Sequence, residues 1–306
     1  MMFDSSIKII GQSSCIQEVL RTADLVAGTD VPVLIIGDTG TGKDLFANRI
    51  HRQSQRKQRP FIKVNCSSLS GGLDEAMLFD QKGYVRQARS GTLFLDEVSD
   101  LSASLQARLL HFIETAEVVP PADSVMRKYD VRIIAATQKD LYKEVEAGRF
   151  RSDLYYRLNV IPVELPLLKE RDGDVTALMD HFFRQFVHEQ HQSAPNFTKA
   201  ALKQIIRHEW PGNVRELQNF CERMFILFSG RTVEVTNLPH EFNQPSQGQP
   251  SPFSLPLSGI KLESVEVDLI QQALETTCGN KSQAARLLGL TRDTFLYRLK
   301  KYEIDI

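Results

Sequence analysis

Val31-Pro32-Val33-Leu34-Ile35-Ile36-Gly37-Asp38-Thr39-Gly40-Thr41-Gly42-Lys43-Asp44-Leu45-Phe46-Ala47 decides the fold. The apolar, β-branched run Val31–Ile36 reads as a buried strand. It breaks into a loop containing Gly37, Gly40 and Gly42, and the loop opens a helix at Asp44. Residues without a Cβ let successive backbone N–H groups turn inward around a triphosphate, and the new helix aims its positive end at the same anion. Lys43 then reaches the β- and γ-phosphates as a point charge. Gly37, Asp38, Thr39, Gly40, Thr41, Gly42, Lys43 and Asp44 are therefore the expected ATP contacts. After the lysine such loops usually carry Ser or Thr, whose hydroxyl binds Mg²⁺; here the residue is Asp44.

The chain has 306 residues, of which 42% are hydrophobic and 25% charged, with a net charge of −1. This suits roughly two or three globular domains, and any nucleic-acid binding has to come from a local basic patch. Cys15, Cys66, Cys221 and Cys278 are far apart and form no CxxC pair, which predicts reduced thiols and a cytoplasmic location. No apolar run approaches the ~18 residues of a membrane span, and the start of the chain lacks a signal-peptide pattern. No membrane contact is expected. His188 and His191 read as a solvated helix face.

Residues 7–10 read as extended, and Ile16, Val19, Leu20 and Ala23 as a helix face. Short apolar runs then alternate with amphipathic helices: Val31–Ile36, Pro60–Asn65, Thr92–Leu95, Val131–Ala136 and Ile161–Leu165. This pattern predicts an α/β domain over 1–170, a parallel sheet covered by helices on both faces. Residues 171–240 lose the strands and read as a helical lid. A Gln/Pro/Ser/Gly-rich stretch over 241–259 reads as a flexible linker, and 260–306 as a final all-helical domain.

A second nucleotide element is Gly91-Thr92-Leu93-Phe94-Leu95-Asp96-Glu97, an apolar strand ending in two carboxylates. Open α/β sheets place ligands at that strand end. Asp96 would hold Mg²⁺ and Glu97 would polarise the attacking water. Asn65, ending the neighbouring strand, is either an amide that holds Glu97 or a simple turn amide. Thr137 is placed to touch the γ-phosphate or the water. Arg151 and Arg157 are either surface ion-pair partners or arginines supplied across a subunit boundary to neutralise transition-state charge. Arg215, in the first turn of a helix begun by Trp210-Pro211-Gly212-Asn213, can reach phosphates from the lid.

Together, Gly-Asp-Thr-Gly-Thr-Gly-Lys-Asp, Gly-Thr-Leu-Phe-Leu-Asp-Glu, Phe-Arg-x-Asp-Leu-Tyr-Tyr-Arg-Leu and Trp-Pro-Gly-Asn-Val-Arg-Glu-Leu resemble the AAA+ domain of bacterial enhancer-binding proteins, the NtrC-like activators of sigma-54 RNA polymerase. The resemblance covers about 7–240. It implies ATP hydrolysis through Lys43, Asp96 and Glu97. It also implies trans-acting Arg151 and Arg157, Thr137 as first sensor and Arg215 as second sensor. That family usually has glutamate after the lysine, so Asp44 is a mild change. RNA polymerase holoenzyme is the implied partner, and a dimer or a hexameric ring the implied assembly.

The tail carries Asn280-Lys281-Ser282-Gln283-Ala284-Ala285-Arg286-Leu287-Leu288-Gly289-Leu290-Thr291-Arg292-Asp293-Thr294-Phe295-Leu296-Tyr297-Arg298-Leu299-Lys300-Lys301. Ala284 and Ala285 allow close helix approach, Gly289 can end one helix left-handed and Thr291 can cap the next. Phe295 and Leu299 face a core, which leaves Arg292, Thr294, Arg298 and Lys301 outward, with Lys281 on the preceding helix. This is a helix-turn-helix for the major groove of double-stranded DNA. From Gly279 on, six cations oppose three anions, which favours phosphate contacts. The segment resembles the Fis-type helix-turn-helix of the same family, in which the upstream helix Leu262–Thr276 makes the dimer contact.

Two family parts are expected to be missing. No receiver or sensory domain precedes the ATPase, since the chain starts almost at Ile7. The sigma-54-contacting loop Gly-Ala-Phe-Thr-Gly-Ala is also absent: the corresponding region runs from Met77-Leu78-Phe79-Asp80 to Arg89-Ser90-Gly91-Thr92 and is too short to hold it. Three readings follow: a DNA-binding regulator with an ATP-binding AAA+ domain that works without sigma-54 remodelling, a sigma-54 activator with a replacement contact, or a DNA-bound AAA+ ATPase outside transcription.

Overall fold

Strands form where the apolar runs predict them, at Val33–Ile36 (β1), Phe61–Asn65 (β2), Thr92–Asp96 (β3), Arg132–Thr137 (β4) and Ile161–Glu164 (β5). This computed structural model describes residues 9–69, 74–80, 82–118, 126–243, 262–277 and 279–302. The five strands make one parallel sheet in the order β2-β3-β4-β1-β5. Its faces follow the two-residue period of a strand. Val33, Ile35, Phe94, Ile134, Ala136 and Val163 pack on one side against Ile16, Leu20 and Ala23 of α1 (Ser14–Ala27) and Phe46, Ala47 and Ile50 of α2 (Lys43–Gln53). Leu34, Val64, Leu93, Leu95, Ile133 and Ala135 pack on the other side. Their partners are Leu105, Leu109 and Phe112 of α3 (Ala103–Thr115) and Leu154 and Leu158 of α4 (Ser152–Leu158). Burial on both faces is what makes these strands continuous apolar runs.

The buried exception is Arg132, only 1% exposed. Its guanidinium donates to Val26 O at 2.9 Å and Ala27 O at 3.3 Å. The last carbonyls of a helix lack partners within the helix and carry partial negative charge, so a buried arginine is tolerated there.

Strand register aligns the carboxyl ends. Asn65 lies beside Asp96, and Ile36 beside Thr137. Everything at that edge comes from loops leaving the sheet on one side, where the lid also sits.

The lid contains α5 (Asp174–Gln190), α6 (Lys199–Arg207) and α7 (Asn213–Phe228) around the buried Trp210, whose indole donates to Ile205 O at 3.1 Å. Two short strands, Asn196–Phe197 and Thr232–Val233, pair in parallel across it, although the sequence reading placed only helices over 174–229. A further two-residue ladder joins Glu117–Val118 to Arg127–Lys128.

A buried carboxylate ties the lid to the first described residues. Asp174 Oδ1 accepts from Gln12 N at 2.6 Å and Ser13 N at 3.1 Å. Its Oδ2 accepts from Ser13 Oγ at 3.0 Å and Arg171 Nε at 2.9 Å, and Arg171 Nη2 donates to Ile10 O at 2.8 Å. Ile9 and Ile10 are irregular backbone, and residues 7 and 8 of the expected extended segment lie outside the described residues.

The chain divides into two units, Met1–Ser246 and Gln247–Ile306. From 244 on, the expected linker lies outside the described residues. In the second unit, α8 (Leu262–Thr276), α9 (Lys281–Leu287) and α10 (Arg292–Lys301) enclose Ile270, Ala273, Leu274, Ala284, Ala285, Phe295 and Leu299. Asn280 caps α9 by accepting from Ser282 N and Gln283 N, and Thr291 caps α10 by accepting from Thr294 N. Gly289 between them has φ +64°, a left-handed turn that glycine adopts at little cost.

Candidate nucleotide site and helix-turn-helix

The loop after β1 turns at Gly40 (φ +81°) and Gly42 (φ +97°), and α2 starts at Lys43. At Gly40 a Cβ would lie 2.1 Å from Gly212 O, so glycine is required by the approach of the lid as well as by its dihedral. Thr41 Oγ1 donates to Asp38 O at 2.7 Å, Lys43 Nζ to Gly37 O at 2.8 Å, and Thr39 Oγ1 to Gln138 Oε1 at 2.6 Å.

Lys43 Nζ also stands 3.1 Å from Glu97 Oε1. Glu97 Oε2 accepts from Gln138 N at 3.2 Å. Glu97 itself has φ +55°, a conformation that costs a non-glycine residue energy and that clusters at functional sites. Beside it, Asp96 Oδ2 lies 3.2 Å from Lys63 Nζ, and Asp44 Oδ2 lies 3.7 Å from the same ammonium. Among the described residues no group of three His, Cys, Asp or Glu side chains could hold an ion unaided. The donor set nevertheless fits Mg²⁺, which binds through one or two carboxylates and fills its shell with water and substrate phosphates. Asp44 and Asp96 already share one cation, the ammonium of Lys63. Below them, burial first and then the charges of Asp96, Asp100 and Glu97 push the Cys66 thiol well above its ordinary range. That leaves it a packing residue and no nucleophile.

These groups open into a cavity of about 1030 Å³ between the sheet edge and the lid. It is lined by Thr39–Asp44, Lys63, Asn65, Asp96, Glu97 and Arg215, with apolar surface from Ile9, Ile10, Leu178, Phe182 and Val214 and further polar side chains from Arg171 and α5. The cavity offers charged groups for the phosphates and metal of a nucleotide and apolar surface for a base. Arg215, exposed on the first turn of α7, lines it as expected, and so does His188.

Three expectations need correction. Asn65 is not hydrogen-bonded to Glu97; its Oδ1 accepts from Ser67 N at 3.0 Å, the turn-amide alternative. Thr137 is fully buried, and its hydroxyl is spent on Lys139, donating to the carbonyl at 3.2 Å and accepting from the N–H at 3.0 Å. Gln138, one residue on, makes the contacts to Glu97 and the P-loop. Arg151, which pairs with Asp153 at 2.8 Å, and Arg157 on α4 are both exposed and lie outside the cavity lining of their own chain, as groups that serve a neighbouring copy would.

The third concerns α10. Arg298 forms an ion pair with Glu266 of α8. Lys301 stands 3.9 Å from Glu263 and 3.1 Å from Tyr302 Oη. Thr294 shares a 2.7 Å hydroxyl contact with Thr291. The freely exposed face of α10 is Arg292, Asp293, Leu296, Tyr297 and Lys300. Lys281 is exposed on α9. Tyr297, 69% exposed, was not singled out from the sequence.

Residues 9–164 match the sigma-54 interaction domain, 169–254 the AAA+ ATPase lid domain and 261–302 the bacterial regulatory protein, Fis family. The transcriptional regulatory protein ZraR of Salmonella typhimurium is 41% identical over 96% of this chain and 68% of its own length. The chain belongs to the bacterial enhancer-binding proteins. The nitrogen fixation protein AnfA of Azotobacter vinelandii is 40% identical over 97% of this chain and 58% of its own length. The crystal structure of NtrX from Brucella abortus in complex with ATP superposes with a TM-score of 0.74 at 30% identity, covering 97% of this chain and 69% of that one. This enhancer-binding protein thus combines an ATP-binding AAA+ domain of sigma-54 interaction type with a Fis-type DNA-binding helix-turn-helix. Among its described residues no helix is long and apolar enough to cross a membrane.

Proposed function

We propose that this chain is a sequence-specific, double-stranded-DNA-binding transcription regulator whose AAA+ domain binds and hydrolyses Mg²⁺-ATP, and which regulates without remodelling sigma-54 polymerase. Lys43 and the P-loop hold the phosphates, Asp96 the metal, and Glu97 orients the water once ATP draws Lys43 away from it. Arg151 and Arg157 act on the nucleotide of a neighbouring copy in a ring, which accounts for their exposure and their distance from their own cavity. Arg292, Tyr297 and Lys300 approach DNA, with Lys281 on the backbone.

One observation carries the sigma-54-independent part. Only four residues, Asp80 to Gly83, separate helix Asp74–Phe79 from helix Tyr84–Gln87, and Gly83 N donates to Asp80 O at 2.8 Å. No Gly-Ala-Phe-Thr-Gly-Ala sequence stands there. Four residues leave no room there for that loop. Transcription from a bound promoter, with purified polymerase carrying either sigma factor, tests this. ATP-dependent open complexes formed only with sigma-54 would overturn it in favour of an activator with a replacement contact. The match of residues 9–164 to the sigma-54 interaction domain keeps that second reading in play.

A further inference from the structure

We propose that Lys63 is the resident counter-cation of the metal position, and that its displacement sets how much divalent cation the site demands. The inference rests on the reading of the cavity as a Mg²⁺-nucleotide site. Lys63 pairs in register with Phe94 on β3, two residues before the Asn65–Asp96 pair at the strand ends. The two-residue period puts Lys63, Asn65 and Asp96 on one face. The ammonium lies over the Phe94 ring, 5.6 Å from its centroid, and 3.2 Å from Asp96 and 3.7 Å from Asp44.

The charge count explains why a cation is needed. Asp44, Asp96 and Glu97 converge on one end of the cavity. Lys43 is already held by Glu97 and Gly37 O, so it cannot serve the other two carboxylates. Lys63 does. A divalent ion entering between Asp44 and Asp96 meets an ammonium in the same place. Two cations cannot share those oxygens, so the lysine has to leave. With its side chain 32% exposed, Lys63 has an open path to solvent. The nucleotide-free site is thereby kept neutral enough to stay folded, and metal entry is coupled to the arrival of phosphates that supply further ligands.

The test measures metal binding directly. Free Mn²⁺ is followed by electron paramagnetic resonance while full-length protein with saturating ADP is titrated, for wild type, Lys63→Gln and Lys63→Arg. Because an exposed ion pair is a modest opponent, Lys63→Gln should bind Mn²⁺ roughly two- to fivefold more tightly, with metal-free ADP affinity unchanged and Lys63→Arg close to wild type. Unchanged or weaker Mn²⁺ binding in Lys63→Gln overturns the proposal. So does a loss of metal-free ADP affinity, which would make Lys63 a phosphate ligand. Wild type that binds no ADP at all would instead refute the nucleotide reading. A second measurement needs no variant. Labelling of Lys63 by an amine reagent, read by mass spectrometry, should rise when Mg²⁺ and ADP are added together. Labelling that falls or stays level overturns the proposal.

Discussion

Replacing Asp174 by alanine should cost this protein about 3–5 kcal/mol, the range for breaking a buried ion pair by removing one partner. Asp174 is fully buried and Arg171 is 3% exposed. Truncation leaves the guanidinium in the interior with only Ile10 O as partner, and strips the acceptor from Gln12 N, Ser13 N and Ser13 Oγ. Each stranded donor costs about 1–3 kcal/mol, more if charged, but the donors share one acceptor and their losses do not add. Against a total stability of about 5–15 kcal/mol, this is a large fraction. The assay is urea unfolding of the full chain, with nucleotide affinity measured alongside, because Ile9, Ile10 and Arg171 line the cavity. Both should fall. Arg171→Met/Asp174→Leu should recover much of the stability by removing both charges. Burial pushes the Asp174 carboxyl up, but hydrogen bonds from Gln12 N, Arg171 and Ser13 outweigh it and hold the group below its ordinary value. The stability it contributes is therefore complete above the unfolded value of about 3.9 and is lost as pH falls through the lower folded value. A loss under about 1 kcal/mol for Asp174→Ala would refute the reasoning, since that is the range of an exposed pair.

Lys43→Ala should abolish ATP binding, whereas Glu97→Gln should bind ATP and turn it over at least ~10²-fold more slowly; equal turnover removes Glu97 from the chemistry. Mixing Arg157→Ala subunits with Glu97→Gln subunits should restore some ATPase activity if the arginine works across a boundary, and a chain that stays monomeric with ATP argues against it. Arg292→Ala should weaken DNA binding by about 1–3 kcal/mol if it reads a base, with melting unchanged. Arg298→Ala should instead lower the melting temperature of the tail by freeing Glu266, as calorimetry would show. His51 is buried with Nδ1 2.9 Å from Thr92 Oγ1, and burial foremost holds its proton affinity below the ordinary value. Stability from the neutral ring is complete above about pH 6.5 and declines as pH falls toward the lowered folded value. Urea midpoints should therefore drop between pH 7.5 and 5.5, and do so less in His51→Gln.

The sheet was legible because burial on both faces writes the three central strands as apolar runs, and the glycines of the P-loop fix where β1 ends. Asn196–Phe197 and Thr232–Val233 were not, since two residues carry no period. Arg132 made sense only once the end of α1 was known to lie against it. The same limit governed the site. Residue types at strand ends pointed to Asp96 and Glu97. Which neighbour each atom faces depends on loop geometry, so Thr137 was chosen where Gln138 makes the contacts, and Asn65 was linked to Glu97 where it caps its own turn. In the tail, periodicity separated Phe295 and Leu299 from the surface but could not show that Glu266, on another helix, would hold Arg298.

The least legible feature is the way the lid is fastened to the P-loop. Asn213 takes a left-handed conformation (φ +51°) and is 2% exposed. Its Oδ1 accepts from Leu168 N at 2.9 Å and its Nδ2 donates to Thr39 O at 3.1 Å. The next residue, Val214, donates its N–H to Gly40 O at 3.0 Å. The carbonyl of Gly212 occupies the space that a side chain at Gly40 would need. Strain at Asn213 persists only because these bonds over-determine it. The start of the helix bearing Arg215 is thus bonded to the two loop residues whose backbone would turn toward phosphate. Any shift of Thr39 or Gly40 must be followed by that helix or must break two hydrogen bonds. A phosphate felt by the loop is therefore felt by the lid without a relay through the sheet.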